Sequence, residues 1–216
     1  IGVTQNNSIN KYVACLKAFM SEAADLGYSS CMEFRRKKFY IGQETVENVY
    51  LKDEEILMIY NADVSHNPNL ENVKDAYVIC CLTGIRFSDL VSLRMEHIQE
   101  IGGERFINKE TLKTGEQVII PLNDIVISIL AKYKNTAKVV YNKQLKSICK
   151  AAGLDEVGRL SKHPEKMLWE CVSSHTGRRS FATNAYLKGI PIISIMRMTG
   201  HRTEKSFMRY IQLGKL

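Results

Sequence analysis

The sequence has few of the features that mark secreted, membrane-bound or zinc-binding proteins. Its six cysteines form no C-x-x-C pair and show no Cys/His spacing of a zinc site, so neither a disulfide framework nor a structural metal is expected. No apolar run is long enough to cross a bilayer, and residues 1–7 have neither the basic start nor the apolar stretch of a signal peptide. These absences predict a cytoplasmic protein with reduced thiols and no membrane partner.

Acidic side chains are outnumbered by basic ones. The 216 residues contain 30 Lys and Arg against 23 Asp and Glu, which gives a net charge of +7. This excess favours a polyanionic partner, because cations that neutralise phosphates release bound counterions. Charge alone does not identify that partner, since many basic proteins bind no nucleic acid.

An N-terminal helix is predicted from an apolar stripe between Ile9 and Leu26, whose members recur every three or four residues. The polar stretch that follows contains the basic run Arg35–Lys38 and is typical of a linker. Because a single helix precedes this linker and the chain begins with Ile, we expect residues 1–45 to be the end of a larger N-terminal module. The main domain is then expected at residues 46–216.

The main domain is predicted to be mainly α-helical with a small antiparallel β-sheet, an α+β arrangement. Two β-prone runs, Arg105–Asn108 and Gln117–Pro121, flank Lys113-Thr114-Gly115, a sequence typical of a hairpin turn. Periodicity and capping residues predict helices elsewhere. They cover Asp53–Ala62, Glu71–Leu82, Ser88–Met95, Asp124–Tyr133, Asn142–Ala152, His175–Lys188, Pro191–Met198 and Glu204–Gln212.

Several residues that could act on a phosphodiester follow one another along the chain. Arg86 lies in the turn TGIRFSDL, between a helix-ending glycine and a Ser-Asp pair, where it can point inward or pair with Asp89. His175 and Arg178 are three residues apart on one helical face. Two further candidates, His201 and Tyr210, follow downstream.

Phosphoryl transfer to a protein hydroxyl needs positive charge at the non-bridging oxygens, a nucleophile in line and a proton donor for the leaving oxygen. Guanidinium groups bind phosphate through two planar donors and stay charged, so two arginines could replace a metal ion. Each motif alone is usually structural, and the specificity lies in the ordered set. That set is Arg86, Lys113, Arg178, His201 and Tyr210.

The chain resembles the tyrosine recombinase or phage integrase family over residues 46–216. The resemblance is carried by TGIRFSDL, LKTG, HTGRRSFAT, MTGH and the segment around Tyr210. It implies a catalytic set of Arg86, Lys113, His175, Arg178, His201 and Tyr210, with Lys109 as an alternative lysine. Residues 6–27 resemble the last helix of the family's core-binding domain. The sequences SSHTGRRSFATNAYLKG and MTGHRTEKSFMRYI are similar to integrases of Bacteroides-type mobile elements.

This resemblance implies site-specific DNA recombination in the integration and excision of a mobile element. Tyr210 would form a 3′-phosphotyrosyl intermediate without a metal or cofactor, and the full-length protein would act as a homotetramer on double-stranded DNA through a Holliday junction. Cations outside the catalytic pattern are interpreted as phosphate contacts or solvated charges. Those assigned to DNA are Arg35, Arg36, Arg179, Arg202 and Lys205.

Other functions would use parts of the same pattern. A type IB topoisomerase or a resolvase of hairpin telomeres shares the chemistry, but the short spacing before Tyr210 favours an integrase. A helical DNA-binding regulator would bind DNA without ever becoming covalently attached to it. A metal-dependent nuclease would require a suitably spaced cluster of Asp and Glu, and the sequence contains no such cluster.

Overall fold

A computed structural model of the chain describes residues 6–36, 47–132, 141–161 and 163–211. The chain divides into two compact units, Ile1–Val46 and Glu47–Leu216. In the first unit the predicted helix is confirmed as α1, Asn6–Asp25, and a short 3-10 helix covers Glu33–Arg35. The rest of the predicted basic linker, Lys37 and Lys38, lies outside the described residues. None of the described helices is long and apolar enough to span a membrane.

The second unit is mainly helical, as predicted. Helix α3, the longest of those described in this unit, is buried almost all round, with Ala76, Tyr77, Val78 and Ile79 at 0% exposure. This helix packs against α6 and α8, so it is the centre of the main hydrophobic core. The helices are α2 (Asp53–Asn61), α3 (Pro68–Thr83), α4 (Phe87–Val91), α5 (Asp124–Lys132), α6 (Tyr141–Ala151), α7 (Leu168–Cys171), α8 (Ser174–Leu187), α9 (Ile192–Thr199) and α10 (Glu204–Met208).

A three-stranded antiparallel sheet lies between α4 and α5 in the chain, in the order β1-β2-β3. The strands are β1 (Ile98–Ile101), β2 (Glu104–Glu110) and β3 (Gln117–Pro121). Strands β2 and β3 pair with Ile107 opposite Ile120, both fully buried, and the predicted hairpin between them is confirmed. Two glycines with positive φ, Gly102 and Gly103, join β1 to β2 in a tight turn.

A second, smaller hydrophobic cluster joins the C-terminal helices. Its buried members are Ala182 and Ala185 of α8, Ile195 of α9, Phe207 of α10 and Ile211. Together they hold the chain around Tyr210 against α8 and α9. The candidate nucleophile Tyr210 therefore packs against this smaller cluster, which is distinct from the main core around α3.

Several helix boundaries differ from the sequence predictions. Helix α3 starts at Pro68, earlier than predicted, because the Asn67 side chain accepts hydrogen bonds from Asn69 N and Leu70 N and caps the helix. Helix α4 ends at Val91, earlier than predicted, and the Ser92 hydroxyl donates to the carbonyl of Asp89 there. The predicted helix ends Tyr133 and Gln212 lie outside the described residues.

Candidate active site

Arg86 is placed by the turn that ends α3. Gly84 takes a left-handed conformation with φ of 66°, and a Cβ there would collide with the Phe181 ring. The chain then turns into α4, with Arg86 as its N-cap residue in an extended conformation. Glycine is thus needed for both the backbone angle and the close approach, and together they hold Arg86 at a fixed point between two packed helices.

The Arg86 guanidinium is paired with Asp89, yet it keeps donors available. Arg86 Nη1 lies 3.6 Å from Asp89 Oδ2, and the Asp89 side chain is 1% exposed. Asp89 Oδ1 accepts a hydrogen bond of 2.9 Å from Leu112 N, which lies in the turn between β2 and β3. Within the described part of the chain, Arg86 Nη1 is buried without a hydrogen-bond partner. Arg86 therefore both pairs with Asp89 and points inward, the two alternatives that the sequence left open. A buried donor that makes no hydrogen bond is suited to an anionic ligand.

Arg178 of α8 is 3% exposed and joins two loops. Its Nη1 donates to Gly84 O at 2.6 Å, and its Nη2 donates to Thr199 O. Burial lowers the pKa of Arg178 to about 10, and repulsion from Arg86 adds to this effect. The group still carries its positive charge at neutral pH. Arg178 therefore fixes the Arg86 turn and the His201 loop relative to each other while remaining a cation.

His201 follows Gly200, which ends α9 in a left-handed conformation. The Thr199 hydroxyl lies 2.8 Å from His201 Nδ1 and donates to Ile195 O at 2.6 Å. Burial lowers the pKa of His201 to about 3, with further lowering by Arg178 and Arg86. The imidazole is therefore neutral at physiological pH in the DNA-free protein.

The Tyr210 ring lies beside two guanidinium groups and one imidazole. Its centroid is 4.6 Å from the His201 ring centroid in an edge-on arrangement. The Cζ atoms of Arg178 and Arg179 lie 5.7 and 5.6 Å from the Tyr210 ring centroid. The Tyr210 backbone is held as well, because its carbonyl accepts from the buried Thr183 hydroxyl at 3.4 Å. The candidate nucleophile is thus assembled next to the candidate arginines of the same chain.

His175 and Lys113 lie at the edge of this group. Both side chains are exposed, His175 at the start of α8 and Lys113 in the turn between β2 and β3. Desolvation lowers the pKa of His175, and nearby positive charges lower it further. Those charges, in order of effect, belong to Arg179, Arg178, Lys113 and Arg86. The ammonium group of Lys113 is therefore near enough to affect His175 electrostatically.

The alternative lysine, Lys109, has a different environment. It is 6% exposed on β2, and its Nζ donates to Ser92 O at 3.4 Å. A buried ammonium bound to the carbonyl after α4 is suited to holding the sheet against that helix. Of the two lysines, Lys113 is the one whose positive charge is among those that lower the pKa of His175.

The predicted DNA-contacting residues fall into different environments. Arg202 donates to Glu116 Oε1 at 2.6 Å, whereas Lys205 is exposed on α10. Arg179 is partly buried beside Tyr210, and among the described residues its Nε has no hydrogen-bond partner. The other two belong to the first unit, Arg35 at 3.8 Å from Asp25 and Arg36 at 2.6 Å from Glu33.

Sequence reasoning missed some of the residues that organise the site. Thr199 accepts from Arg178 through its carbonyl and bonds His201 through its hydroxyl, and Glu116 binds Arg202. Thr199 lies inside the MTGH motif, but only its neighbours were assigned a role. Glu116 lies three residues after Lys113, and it belongs to no sequence motif that would have indicated its role. No cluster of three or more His, Cys, Asp or Glu suited to a metal ion occurs within the described ranges.

Fixed guanidinium donors, a phenol, two neutral imidazoles and an exposed ammonium group are suited to binding and cleaving a phosphodiester. On a mainly helical domain with one small sheet, this site defines a tyrosine recombinase. The chain belongs to the phage integrase family, whose sequence model matches residues 49–215. The family and the fold class predicted from sequence are confirmed, whereas the similarity to Bacteroides-type elements stays a prediction.

Comparisons with individual proteins agree with this assignment. A tyrosine recombinase of Thermosipho africanus strain TCF52B is 26% identical over 217 residues, which cover 97% of this chain and 73% of that protein. A lambda integrase dimer bound to a COC′ core site has a TM-score of 0.69 at 19% identity, covering 96% of this chain and 74% of that chain. A lambda integrase tetramer bound to a Holliday junction has a TM-score of 0.63 at 18% identity, covering 93% and 58%. These two similarities show the fold, and the chain spans only part of each protein.

Proposed function

We propose that this chain is the catalytic part of a site-specific DNA recombinase whose nucleophile is Tyr210. The observation that carries the proposal is the position of the Tyr210 ring beside His201, Arg178 and Arg179. The phenol oxygen attacks a backbone phosphate of double-stranded DNA. A bond from Tyr210 Oη to phosphorus forms and the bond to the 5′ oxygen breaks, which leaves a 3′-phosphotyrosyl enzyme and a free 5′-hydroxyl.

The charged oxygens of the transition state are stabilised by Arg86 and Arg178. Both guanidinium groups have buried N–H donors that make no hydrogen bond among the described residues, Nε of Arg178 and Nη1 of Arg86, which lies in an ion pair 3.6 Å from Asp89 Oδ2. Donors that are already fixed and desolvated stabilise developing charge without reorganisation. A hydrogen bond from His201 adds to them. No metal ion or other cofactor has a part in this proposal.

Two proton transfers complete the step. The lowered pKa of His175 keeps its imidazole neutral at pH 7, so it can accept the proton that leaves Tyr210. Lys113 donates a proton to the 5′ oxygen as that oxygen departs. Each of these transfers is worth about 10²- to 10⁴-fold in rate when a side chain is correctly placed.

Rejoining is the reverse reaction with a different strand. The 5′-hydroxyl of a partner duplex attacks the phosphotyrosyl bond and releases Tyr210, so no high-energy cofactor is consumed. We assign the full-length protein a homotetramer on two duplexes, with a Holliday junction as intermediate. The lambda integrase tetramer bound to such a junction supports this assignment by its similar fold. The proposed setting is integration and excision of a mobile element in the bacterial cytoplasm.

Phosphate contacts outside the reacting centre are proposed for Arg35, Arg36, Arg179, Arg202 and Lys205. Arg179 has the strongest support, because its buried Nε has no partner within the described part of the chain. Arg35, Arg36 and Arg202 already pair with acidic side chains, so DNA would have to compete with those carboxylates.

The test is covalent capture on nicked duplexes, tiled across the DNA that flanks the gene and incubated with the protein in chelator. A nick beside the cleavage point lets the short leaving strand diffuse away, so the adduct accumulates on a denaturing gel. We expect a chelator-resistant adduct with the wild type, none with Tyr210→Phe and a strong reduction with Arg86→Ala. Specific DNA binding without an adduct would indicate a helical DNA-binding regulator, and activity lost in chelator would indicate a nuclease.

The lysine assignment has its own matched pair of variants. Lys113→Ala should lower the rate of adduct formation about 10²- to 10⁴-fold while the urea midpoint stays unchanged, because the side chain is exposed. Lys109→Ala should lower the urea midpoint, because that side chain is 6% exposed and binds Ser92 O. If Lys109→Ala stays folded and it, rather than Lys113→Ala, lowers the rate of adduct formation, then Lys109 is the proton donor and Lys113 is not.

A further inference from the structure

The turn that carries Lys113 is fastened from two sides. On one side, Leu112 N donates to Asp89 Oδ1, which links the turn to the Arg86 loop. On the other side, Arg202 Nε donates to Glu116 Oε1 at 2.6 Å and Arg202 Nη2 donates to Thr114 O at 2.5 Å. Arg202 directly follows His201. The second link therefore joins the Lys113 turn to the loop that presents His201.

The turn itself is closed by several internal hydrogen bonds, which restrict its own conformation. Thr111 N donates to Glu116 O and Gly115 N donates to Thr111 O, both at 2.9 Å. The Thr111 hydroxyl lies 2.7 Å from the Thr114 hydroxyl and accepts from Glu116 N at 3.1 Å. With these internal bonds made, the main freedom of the turn is its orientation relative to the site. That orientation is what the links to Asp89 and Arg202 control.

The geometry of the Arg202 link suits positioning better than folding stability. The Arg202 and Glu116 side chains are 63% and 40% exposed, and ion pairs at such exposure contribute little to stability. A planar guanidinium that spans a carboxylate and a carbonyl nevertheless fixes direction as well as distance. Lys113 has a long side chain without a rigid environment, so its reach depends on where the turn is held.

We infer that Arg202 and Glu116 are positioning residues that aim Lys113 at the leaving 5′ oxygen. The inference rests on the proposed function, in which Lys113 supplies that proton. It gives Arg202 a role within the protein in place of the phosphate contact named under the proposed function, because its guanidinium already binds Glu116 Oε1 and Thr114 O. These two roles for Arg202 have different experimental signatures.

The first measurement is the single-turnover rate of adduct formation with the nicked duplex at saturating concentration. Arg202→Gln and Glu116→Gln should each lower this rate about 10- to 100-fold, the size of effect expected when a reacting group is misplaced by about 1 Å. The exchanged variant, Arg202→Glu with Glu116→Arg, should recover part of this loss and react faster than either single variant, since it restores the ion pair but not the bond to Thr114 O. Arg105→Gln is the matched control, because Arg105 pairs with Glu100 at 3.2 Å on the β1–β2 hairpin. Its rate should be unchanged.

DNA affinity separates the two roles of Arg202. A positioning residue leaves the Kd for the nicked duplex unchanged, whereas a phosphate contact weakens binding. In the exchanged variant, Glu at position 202 would repel a phosphate, so a phosphate contact would not be restored. A loss confined to Kd, or an exchanged variant as slow as the single variants, would overturn the inference.

The second measurement uses DNA in which sulfur replaces the bridging 5′ oxygen at the cleavage point. A thiol has a pKa of about 8.5, so the thiolate leaves without a proton donor. Lys113→Ala, Arg202→Gln and Glu116→Gln should all approach the wild-type rate on this substrate. If only Lys113→Ala is rescued, the inference is overturned and the proposed function stands. If Lys113→Ala is not rescued, the role of Lys113 fails and the inference with it. If the wild type forms no adduct on either substrate, the recombinase proposal itself fails.

Discussion

The proton on the His201 imidazole is located by its neighbour. The Thr199 hydroxyl uses its one hydrogen to bond Ile195 O at 2.6 Å, so it can only accept from His201 Nδ1. The Nε2 atom of the neutral ring then carries a lone pair and is an acceptor. To donate a hydrogen bond to a phosphate, His201 must take up a second proton. Because Arg178 and Arg86 contribute to the low pKa of His201, a bound phosphate that offsets their charge should raise it.

Acid should therefore destabilise the DNA-free protein through His201. The folded-state pKa of about 3 lies below the ordinary value of 6.5, so the unfolded chain binds more protons between those pH values. The free energy of unfolding must then fall as pH falls from about 6.5. Urea unfolding at pH 7 and pH 5 should show a larger loss for the wild type than for His201→Gln. His66→Gln, at an exposed position, is the control and should behave like wild type. Equal losses in all three proteins would contradict the low pKa.

Sequence reasoning identified the candidate side chains but few of their partners. Arg86, Arg178 and Tyr210 could be selected because phosphoryl transfer needs those residue types and because their order along the chain resembles the tyrosine recombinase family. Their anchors are backbone atoms, the carbonyls of Gly84 and Thr199, and any residue type has a carbonyl. The choice between two lysines likewise depended on burial, which a short β-strand pattern does not specify.

The element that presents Tyr210 is small and depends on few contacts. Helix α10 has five residues, too few to be stable on its own. Phe207 is fully buried and packs with Ile195 and Ile211 in the smaller hydrophobic cluster. The position of the proposed nucleophile therefore depends on the packing of Phe207 and its neighbours.

Phe207→Ala should separate nucleophile delivery from folding of the main core. Truncation of a buried Phe typically costs about 3–5 kcal/mol, more than a five-residue helix can supply from its own bonds. We expect loss of the covalent adduct and fast amide hydrogen exchange at residues 204–211, with protection of α3 retained. Met208→Ala is the control, since Met208 is 42% exposed. Equal loss of protection in α3 and α10 would show that the two clusters unfold as one unit.

Among the elements, the long periodic helices were predictable and the short ones were not. Helix α7 has four residues and β1 has four, lengths over which periodicity gives little signal. For β1 a signal was present in Gly102-Gly103, a dipeptide typical of two-residue hairpins, but the strand before it has only two apolar residues. Tertiary pairing with β2 decides its structure.

For the whole molecule, DNA affinity and the rate of cleavage should depend differently on salt concentration. Binding depends on exposed cations, and a protein with about six to ten phosphate contacts loses about 10³- to 10⁵-fold in affinity between about 50 and 200 mM salt. In the proposed mechanism cleavage depends on Arg178, which is 3% exposed and therefore little affected by screening ions. We therefore expect Kd to rise steeply with salt while the single-turnover rate at saturating DNA changes less than about 3-fold. If the single-turnover rate at saturating DNA falls as steeply as the affinity, the proposed catalytic arginines are exposed to ions in solution and the prediction is wrong.

The two hydrogen bonds from Arg178 to backbone carbonyls affect which inactivating mutations the gene can accumulate. Loss of Arg178 removes a proposed catalytic cation and leaves Gly84 O and Thr199 O without this donor, so stability and activity should decline together. Replacement of Tyr210 by Phe removes only the hydroxyl proposed as nucleophile and keeps a ring that can pack against His201, Arg178 and Arg179. Inactivated copies that persist in genomes should therefore have lost the tyrosine more often than this arginine. Under the proposed function, such remnants keep their DNA-binding surface and should compete with the intact enzyme for recombination sites.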